Sequence, residues 1–541
     1  MNRPLVLIIM DGWGMAPPGP GNAISLSKLK YLPEFWRDFP HGKLSASGEA
    51  VGLPKGEDGN TETGHLNIGA GRLVYQDLPR INMAIADGNF FQNEAFLGAF
   101  AHARKQSSNL HLIGLIGSGG VHSNVEHLFG LLWFAKNTNF SNIFLHLITD
   151  GRDSPPKSAL TYIRQVEDEV NRVGVGTVAS VMGRYYAMDR DQRWERTEKA
   201  YEALTQGKGK TVETAQQAVE QAYIQNITDE FIEPTLLTKN GKPRALISDN
   251  DSVIFFNYRI DRPRQLTKSF VLPDFSSQAA ASGYDPYAVK YFKKHTATSQ
   301  AREPFERKVF LQNLFFVTMT EYEKNLPVAV AFPEQMITSP LGEVVAKASL
   351  KQLRVSETEK ERFVTYYFNG QREEAFGGET RLIVPSAKVS TYDLKPEMSA
   401  MEITEQVVTQ LDKKIYDFIL INFANPDMVG HTGNISAAIT ACETTDTCIG
   451  KITAKVLELD GACVITADHG NVEEMIDPVT GGVDTEHSTY PVPVICISNK
   501  LKGRNAELPL GILADIAPTI LTLVGIPVPK VMNGRNLLEN I

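Results

Sequence analysis

Short apolar runs recur along this chain, and nearly every one leads directly into a cluster of polar, chemistry-bearing residues. The clearest runs are Leu5 to Met10, Leu110 to Ile116, Ile143 to Ile148, Val253 to Phe256, Phe418 to Phe423 and Val464 to Thr466. A continuous apolar run of this length is the pattern of a strand buried on both faces of a parallel sheet. Amphipathic stretches lie between the runs. After Pro155-Pro156, the residues Leu160, Ile163, Val166, Val170 and Val173 recur at helical spacing, and Gly174 supplies a stop. The alternation predicts an α/β architecture. In open parallel sheets the loops at the carboxyl ends of strands converge on one edge, so the polar clusters are expected to form sites there.

With 541 residues the chain is too long for one compact core, and two large domains are expected. Lysine and arginine number 54 against 63 aspartates and glutamates, a formal net charge of −9. That balance argues against a nucleic-acid or membrane-surface binder, which needs an excess of positive charge. No run approaches the ~20 apolar residues that cross a bilayer. The short apolar start ends at Asp11, without the length or cleavage site of a secretory signal. Cys442, Cys448, Cys463 and Cys496 form neither a disulfide framework nor paired CxxC knuckles. The expectation is a cytoplasmic, reduced setting and a monomer acting on a small molecule, with no nucleic-acid or membrane partner. Asp274 to Arg307 reads as an inserted surface segment, and Asn240-Gly241 reads as a hairpin turn.

One set of clusters has the composition of a metal centre. Asp11 follows the first run in IIMDGWG, Asp468 and His469 follow another in VITADHGN, and Asp427 and His431 lie in FANPDMVGH. Pro426 suits the first turn of a helix, on which the i,i+4 spacing puts Asp427 and His431 on one face. His487 sits in DTEHSTYP. Singly, each residue is more readily a cap, a turn residue or a solvated histidine. Jointly, three carboxylates and three histidines at strand ends suit one or two divalent ions of the manganese or zinc kind. The segment GEDGNTETGHLNIGAGR offers two hydroxyls, Thr61 and Thr63, in a glycine-flanked turn that would open a helix. A metal can make such a hydroxyl a nucleophile, and a helix amino terminus favours a phosphoryl group.

A second set, in the middle of the chain, is basic: His122, Arg152, Asp153, Arg184, Arg190, Arg259 and Arg262 each follow a strand pattern. Five arginines converging on one pocket suit a small ligand carrying two or three negative charges. The glycine patterns GLIGSGGVHS and NIGAGR lack the Gly-Lys-Ser/Thr ending of a phosphate loop and carry no nucleotide reading.

The segments MDGWG, GHLNIGAGRLVYQDL, GGVHS, TDGRD, GRYYAMDRD, FFNYRIDRPRQL, ETEK, NPDMVGHTG, TADHGN and TEHSTYPVP occur in this order over almost the whole chain. Together they resemble the cofactor-independent phosphoglycerate mutases, and the metal-bearing half is similar to the wider alkaline-phosphatase superfamily. The resemblance implies an alkaline-phosphatase-like α/β domain formed by both chain ends, residues 1–76 and 332–541. An inserted α/β phosphotransferase domain would span residues 77–331. It implies interconversion of 3- and 2-phosphoglycerate with two divalent cations, manganese foremost, and without 2,3-bisphosphoglycerate. One ion would be held by Asp427, His431 and His487, and the other by Asp11, Thr61, Asp468 and His469. The register of Asn60 and Gly64-His65 selects Thr61 over Thr63 as the nucleophile. Asp153 with His122 would handle the glycerate hydroxyl proton. Arg152, Arg184, Arg190, Arg259 and Arg262 would bind substrate, and Lys360 of ETEK would add charge at the phosphoryl group as the domains close.

The chain departs from the family pattern at Thr61. The family reads G-N-S-E-V-G-H, and this chain reads G-N-T-E-T-G-H. The extra methyl crowds the attacking oxygen. Asn250, Ile260, Pro263 and Glu361-Arg362-Phe363 are lesser departures. Two other readings stand beside this one: a metal-dependent phosphatase or other phosphomutase on the same metal half, and a non-catalytic phosphoglycerate binder.

Overall fold

The computed structural model describes residues 4–280, 303–539 and 541. The chain forms two compact units, one of Met1–Gln76 with Gln335–Ile541 and one of Asp77–Glu334.

The first unit is built on an eight-stranded sheet. In spatial order its strands are Glu379–Val384, Gln352–Glu357, Phe418–Phe423, Leu5–Met10, Ala462–Thr466, Val492–Ser498, His41–Ser45 and Gly511–Ile512. The first five run parallel, and Val492–Ser498 is antiparallel to both its neighbours. Leu5–Met10 is buried along its whole length between Phe418–Phe423 and Ala462–Thr466, which is why it is apolar at every position. The 24-residue helix Ile435–Glu458 packs Ala441, Ile449, Ile452 and Val456 into the core beside that sheet.

The second unit carries a sheet ordered Ala329–Phe332, Phe315–Thr320, Ser252–Phe255, Leu110–Ile116, Ile143–Thr149, Thr177–Gly183, Thr235–Lys239 and Lys210–Val212. The hairpin partner Lys242–Pro243 pairs with Thr235–Lys239. Asn240 and Gly241 between them have φ of 55° and 74°, the left-handed pair that a tight hairpin turn demands. The helix Ala159–Val173 ends at Gly174, whose φ of 79° closes it in the left-handed region.

The apolar runs coincide with strands at Leu5–Met10, Leu110–Ile116 and Phe418–Phe423. The run read from Val464 begins earlier, at Ala462, and the one read from Val253 spans Ser252–Phe255. Small and polar residues at those ends carry little hydrophobic signal although they pair in the ladder. The segment Asp274 to Arg307 is not wholly a surface insertion. Phe275 and Phe305 pack on each other at a 4.9 Å ring separation inside a core cluster with Trp194. Residues 281–302 of that segment lie outside the described residues. All four cysteines are free and buried. Among the described residues no helix is long and apolar enough to cross a membrane.

Candidate active site

In the first unit, four neighbouring parallel strands deliver their following residues to one sheet edge. Lys360 comes after Gln352–Glu357, Asp427 and His431 after Phe418–Phe423, Asp11 after Leu5–Met10, and Asp468 and His469 after Ala462–Thr466. Asn425–Gly430 is a short helix with proline in its first turn, and His431 caps it with Nε2 3.3 Å from Asp427 Oδ1. Gly12 lets the Asp11 turn approach: its φ is 71°, and a Cβ there would stand 2.8 Å from the Asp427 Cα. Gly64 does the same for the helix Thr61–Ala70, since a Cβ at that position would lie 2.6 Å from the Asp468 carbonyl oxygen.

The two candidate hydroxyls have different surroundings. Asn60 caps the helix by accepting from the Thr63 N–H, and the Thr63 hydroxyl turns back to the Asn60 carbonyl and side-chain oxygens, 3.2 Å from each. Thr61 is the first helical residue rather than part of a loose turn. Its Oγ1 lies 2.9 Å from His469 Nε2, 3.0 Å from Lys360 Nζ and 3.3 Å from Asp11 Oδ1.

Among the described residues, three donor groups have their ligand atoms within 4.8 Å of one another: Asp427 with His431 and His487, Asp11 with Asp427 and His469, and Asp11 with His65 and Asp468. The rings of His431, His487 and His469 share one arrangement. Nδ1 faces a backbone carbonyl, of Thr485 at 2.7 Å, Gly59 at 2.8 Å and Gly470 at 3.1 Å, and Nε2 faces the carboxylates. Such outward Nδ1–H bonds are what orient imidazoles as metal ligands. The Asp468 Oδ2 atom is buried without an aligned hydrogen bond, although His65 Nδ1 lies 3.2 Å away. Mixed carboxylate and imidazole donors with an unsatisfied anionic oxygen fit a divalent cation.

Lys360 sits within this centre. Its ammonium donates to Asp11 Oδ1 at 2.8 Å, Asp427 Oδ2 at 2.7 Å and Thr61 Oγ1, which accounts for all three of its N–H groups. Burial alone would lower its pKa, but the carboxylates of Asp11, Asp427 and Asp468 raise it above the usual lysine value. Burial likewise works to raise Asp427, and the charge of Lys360 with the hydrogen bonds of His431 and His487 holds it well below the carboxylate range.

The second unit repeats the construction. His122 follows Leu110–Ile116, Arg152 and Asp153 follow Ile143–Thr149, Arg184 follows Thr177–Gly183, and Arg259 and Arg262 follow Ser252–Phe255. These four strands are neighbours in the sheet. Arg152, Arg184, Arg190 and Arg262 line one cavity of about 350 Å³, together with Tyr185, Asp189 and Glu230. Arg184 is buried and forks between Asp150 and Asp153, 2.5 Å from each. Arg190 donates to Asp261 at 2.6 Å, and Arg259 lies 3.3 Å from the same carboxylate without lining the cavity. His122 lies between Asp153 at 3.6 Å and Asp261 at 3.7 Å. Its burial, reinforced by the Arg184 charge, pushes its pKa down to about 4. Burial opposes ionisation of Asp153, and the Arg184 hydrogen bond and charge override it, leaving its pKa lowered. The buried atoms His122 Nδ1, Arg184 Nε, Asp261 Oδ1 and Arg262 Nε lack hydrogen-bond partners, and the two guanidinium N–H groups among them are unused donors suited to an anionic ligand.

The structure thus gathers Asp11, Thr61, Lys360, Asp427, His431, Asp468, His469 and His487 in one place. It gathers His122, Arg152, Asp153, Arg184, Arg190 and Arg262 in another, with Arg259 at the margin. Sequence reasoning missed His65, Asn422, Asn471, Asp150 and Asp261. Asn471 donates to Asp427 Oδ1 at 3.0 Å. A signal existed for His65, which stands four residues after Thr61 on the same helical face. Another existed for Asn422, the one polar residue in the run FILINF.

The chain is similar to several known proteins over nearly its whole length. The family described as "BPG-independent PGAM N-terminus" matches residues 81–324. The 2,3-bisphosphoglycerate-independent phosphoglycerate mutase of Moorella thermoacetica is 49% identical over 538 residues, covering 99% of each chain. That of Chloroflexus aurantiacus is 48% identical over 541 residues, covering 99% of this chain and 98% of its own. A crystal structure of Leishmania mexicana phosphoglycerate mutase, obtained at low cobalt concentration, superposes with a TM-score of 0.57 at 28% identity. That match covers 99% of this chain and 97% of the other. With near-half identity over essentially the full length, the chain belongs to the 2,3-bisphosphoglycerate-independent phosphoglycerate mutase family.

Proposed function

We propose that this chain interconverts 3-phosphoglycerate and 2-phosphoglycerate by passing the phosphoryl group through Thr61, with two divalent cations, manganese foremost. The observation that carries the proposal is the placement of the Thr61 hydroxyl among His469, Lys360 and Asp11, while the Thr63 hydroxyl is tied to Asn60. Asp427, His431 and His487 would hold one ion, and Asp11, Thr61, Asp468 and His469 the other. Bound there, the ions would stabilise the Thr61 alkoxide and the charge on the transferring phosphoryl oxygens.

The chain's own residues supply the rest. The amino terminus of the helix Thr61–Ala70 favours a phosphoryl group at its first residue. Arg152, Arg184, Arg190, Arg259 and Arg262 bind the carboxylate and phosphate of the substrate, and Lys360 adds positive charge at the phosphoryl group. In the first half-reaction Thr61 Oγ1 bonds to phosphorus as the bond from phosphorus to the glycerate 3-oxygen breaks. The proton lost by Thr61 balances the one gained by that oxygen. In the second half the glycerate 2-oxygen bonds to phosphorus and the phosphothreonine bond breaks; Asp153 takes the 2-hydroxyl proton, and its release as the site resets balances the proton that Thr61 regains. Arg184 holds the Asp153 carboxylate as a weak base, so transfer of Arg184 to the ligand's anionic groups would strengthen Asp153 when substrate is present.

The test is a mutase assay on purified protein with manganese and no 2,3-bisphosphoglycerate, followed by mass mapping of phosphoenzyme trapped during turnover. Activity with phosphate on Thr61 is expected. Phosphate on Thr63, or a requirement for the bisphosphate, would overturn the proposal.

A further inference from the structure

Behind the Thr61 centre, Asn422 and His65 link two of its carboxylates. Both residues are fully buried. The Asn422 Nδ2 atom donates to Asp11 Oδ2 at 2.6 Å and lies 3.1 Å from His65 Nε2. The amide cannot be turned the other way, because that would set its oxygen against the Asp11 carboxylate. Its Nδ2 must therefore be the donor, and His65 Nε2 must accept. The His65 proton then lies on Nδ1, which is 3.0 Å from the Thr61 carbonyl oxygen and 3.2 Å from Asp468 Oδ2. This sets His65 apart from His431, His469 and His487, whose Nε2 lone pairs face the carboxylates. The Nε2 lone pair of His65 is already taken by Asn422, so the ring has none left for a cation.

We propose that Asn422 and His65 form a positioning relay that sets the orientation of the Asp11 and Asp468 carboxylates from behind, and with it the affinity of the cation those carboxylates would hold. The relay runs from Asp11 through the amide and the imidazole to Asp468 and the first turn of the Thr61 helix. Four separate chain segments are thereby held in one orientation. The inference rests on the metal reading above. Outer hydrogen-bonding partners of this kind are worth about 10- to 100-fold in metal affinity.

The experiment is calorimetric titration of manganese into metal-stripped full-length protein, for the wild type, Asn422→Leu, His65→Leu and the double variant. Manganese electron paramagnetic resonance reports the number of bound ions. The expected result is an unchanged count, with one class of site weakened about 10- to 100-fold in each single variant. The double variant should be weakened no more than the worse single one, because either change breaks the same relay. At saturating manganese kcat should largely return, with KM for phosphoglycerate unchanged. Should the leucine variants fail to fold, His65→Asn serves: it keeps a donor near the Nδ1 position and loses the acceptor for Asn422, so its affinity should fall between wild type and the full loss. A lower ion count would make His65 a ligand and overturn the relay, as would additive losses in the double variant. Wild-type protein that binds no manganese overturns the metal reading and this inference together. Wild-type binding with unaffected variants overturns this inference alone.

Discussion

The Thr61 centre and the arginine pocket are built alike, each from residues that follow four neighbouring parallel strands, but their charges are held in opposite ways. In the first, Asp11, Asp468 and His469 are fully buried, and the cationic Lys360 is bound among carboxylates. In the second, the side chains of Arg152 and Arg190 are 55% and 46% exposed and paired with carboxylates that an anionic ligand could replace, while Arg184 alone is buried in its pair with Asp150. Carboxylates buried together repel one another and lose hydration, so they need a cation close by. Exposed ion pairs contribute little stability and exchange partners at little cost. On the proposed function, bond-making falls to the first unit and ligand capture to the second, and each prediction strains that division.

The largest expected effect is at Thr61. Thr61→Ala should lower kcat by a factor on the order of 10⁴ or more, the scale of removing a nucleophile. Thr61→Ser should remain active, because the hydroxyl stays and only the methyl that restricts its rotamer is lost. Thr63→Ala should keep most activity at some cost in helix capping. Mutase assays on the three variants decide this, and an active Thr61→Ala enzyme would move the chemistry elsewhere.

Metal removal should separate the two regions. Chelation should abolish turnover and added manganese restore it, while phosphoglycerate binding measured by calorimetry falls less than about tenfold, since among the described residues the arginine pocket contains no candidate metal group. Equal loss of binding and turnover would merge the two roles.

A smaller effect is expected from trimming the pocket. Arg262→Ala should raise KM by about 10-fold or more with a lesser change in kcat, the worth of one charge-assisted hydrogen bond to an anion. Steady-state kinetics would show a kcat loss instead if Arg262 acts mainly on the transition state.

The smallest effect concerns acid. Burial pushes His122 down to about 4 and His127 down to about 3, below the ordinary value of 6.5. Between those values the unfolded chain binds more protons than the folded one, so stability falls as pH drops from 6.5 towards 4. Hydrogen exchange in Leu110–Ile116, corrected for its intrinsic pH dependence, should be faster near pH ~4.5 than near pH ~6.5. His127→Gln, which cannot take up the proton, should flatten that slope. An unchanged slope would remove His127 from the account.

Strands such as Leu5–Met10 and Phe418–Phe423 were legible because burial on both faces forces every position to be apolar. Ala462 and Ser252 were not, since residues that small or polar enter a strand only through the ladder of their neighbours. At the site, the i,i+4 relation of Asp427 and His431 was readable because one short helix carries both. Asn422 and Asp261 were not, because a lone amide in an apolar run or an acid among arginines shows no partner in sequence.

The sequence by itself determined six of the strands, the stop of one helix at Gly174, the Asn240-Gly241 turn, the family and the segments that carry the chemistry. All of these follow from local periodicity, turn chemistry and motif order. Only the tertiary structure decided the contacts within each centre. Lys360 and Asp11 stand 349 positions apart and meet at 2.8 Å. It alone decided that the Thr61 hydroxyl faces the carboxylates while the Thr63 hydroxyl turns back to Asn60, and that Asn422 lies between Asp11 and His65. The physical reason is range. Strand and helix signals arise between residues a few positions apart, whereas a hydrogen bond depends on ångström distances between atoms that only the packing of distant segments brings together.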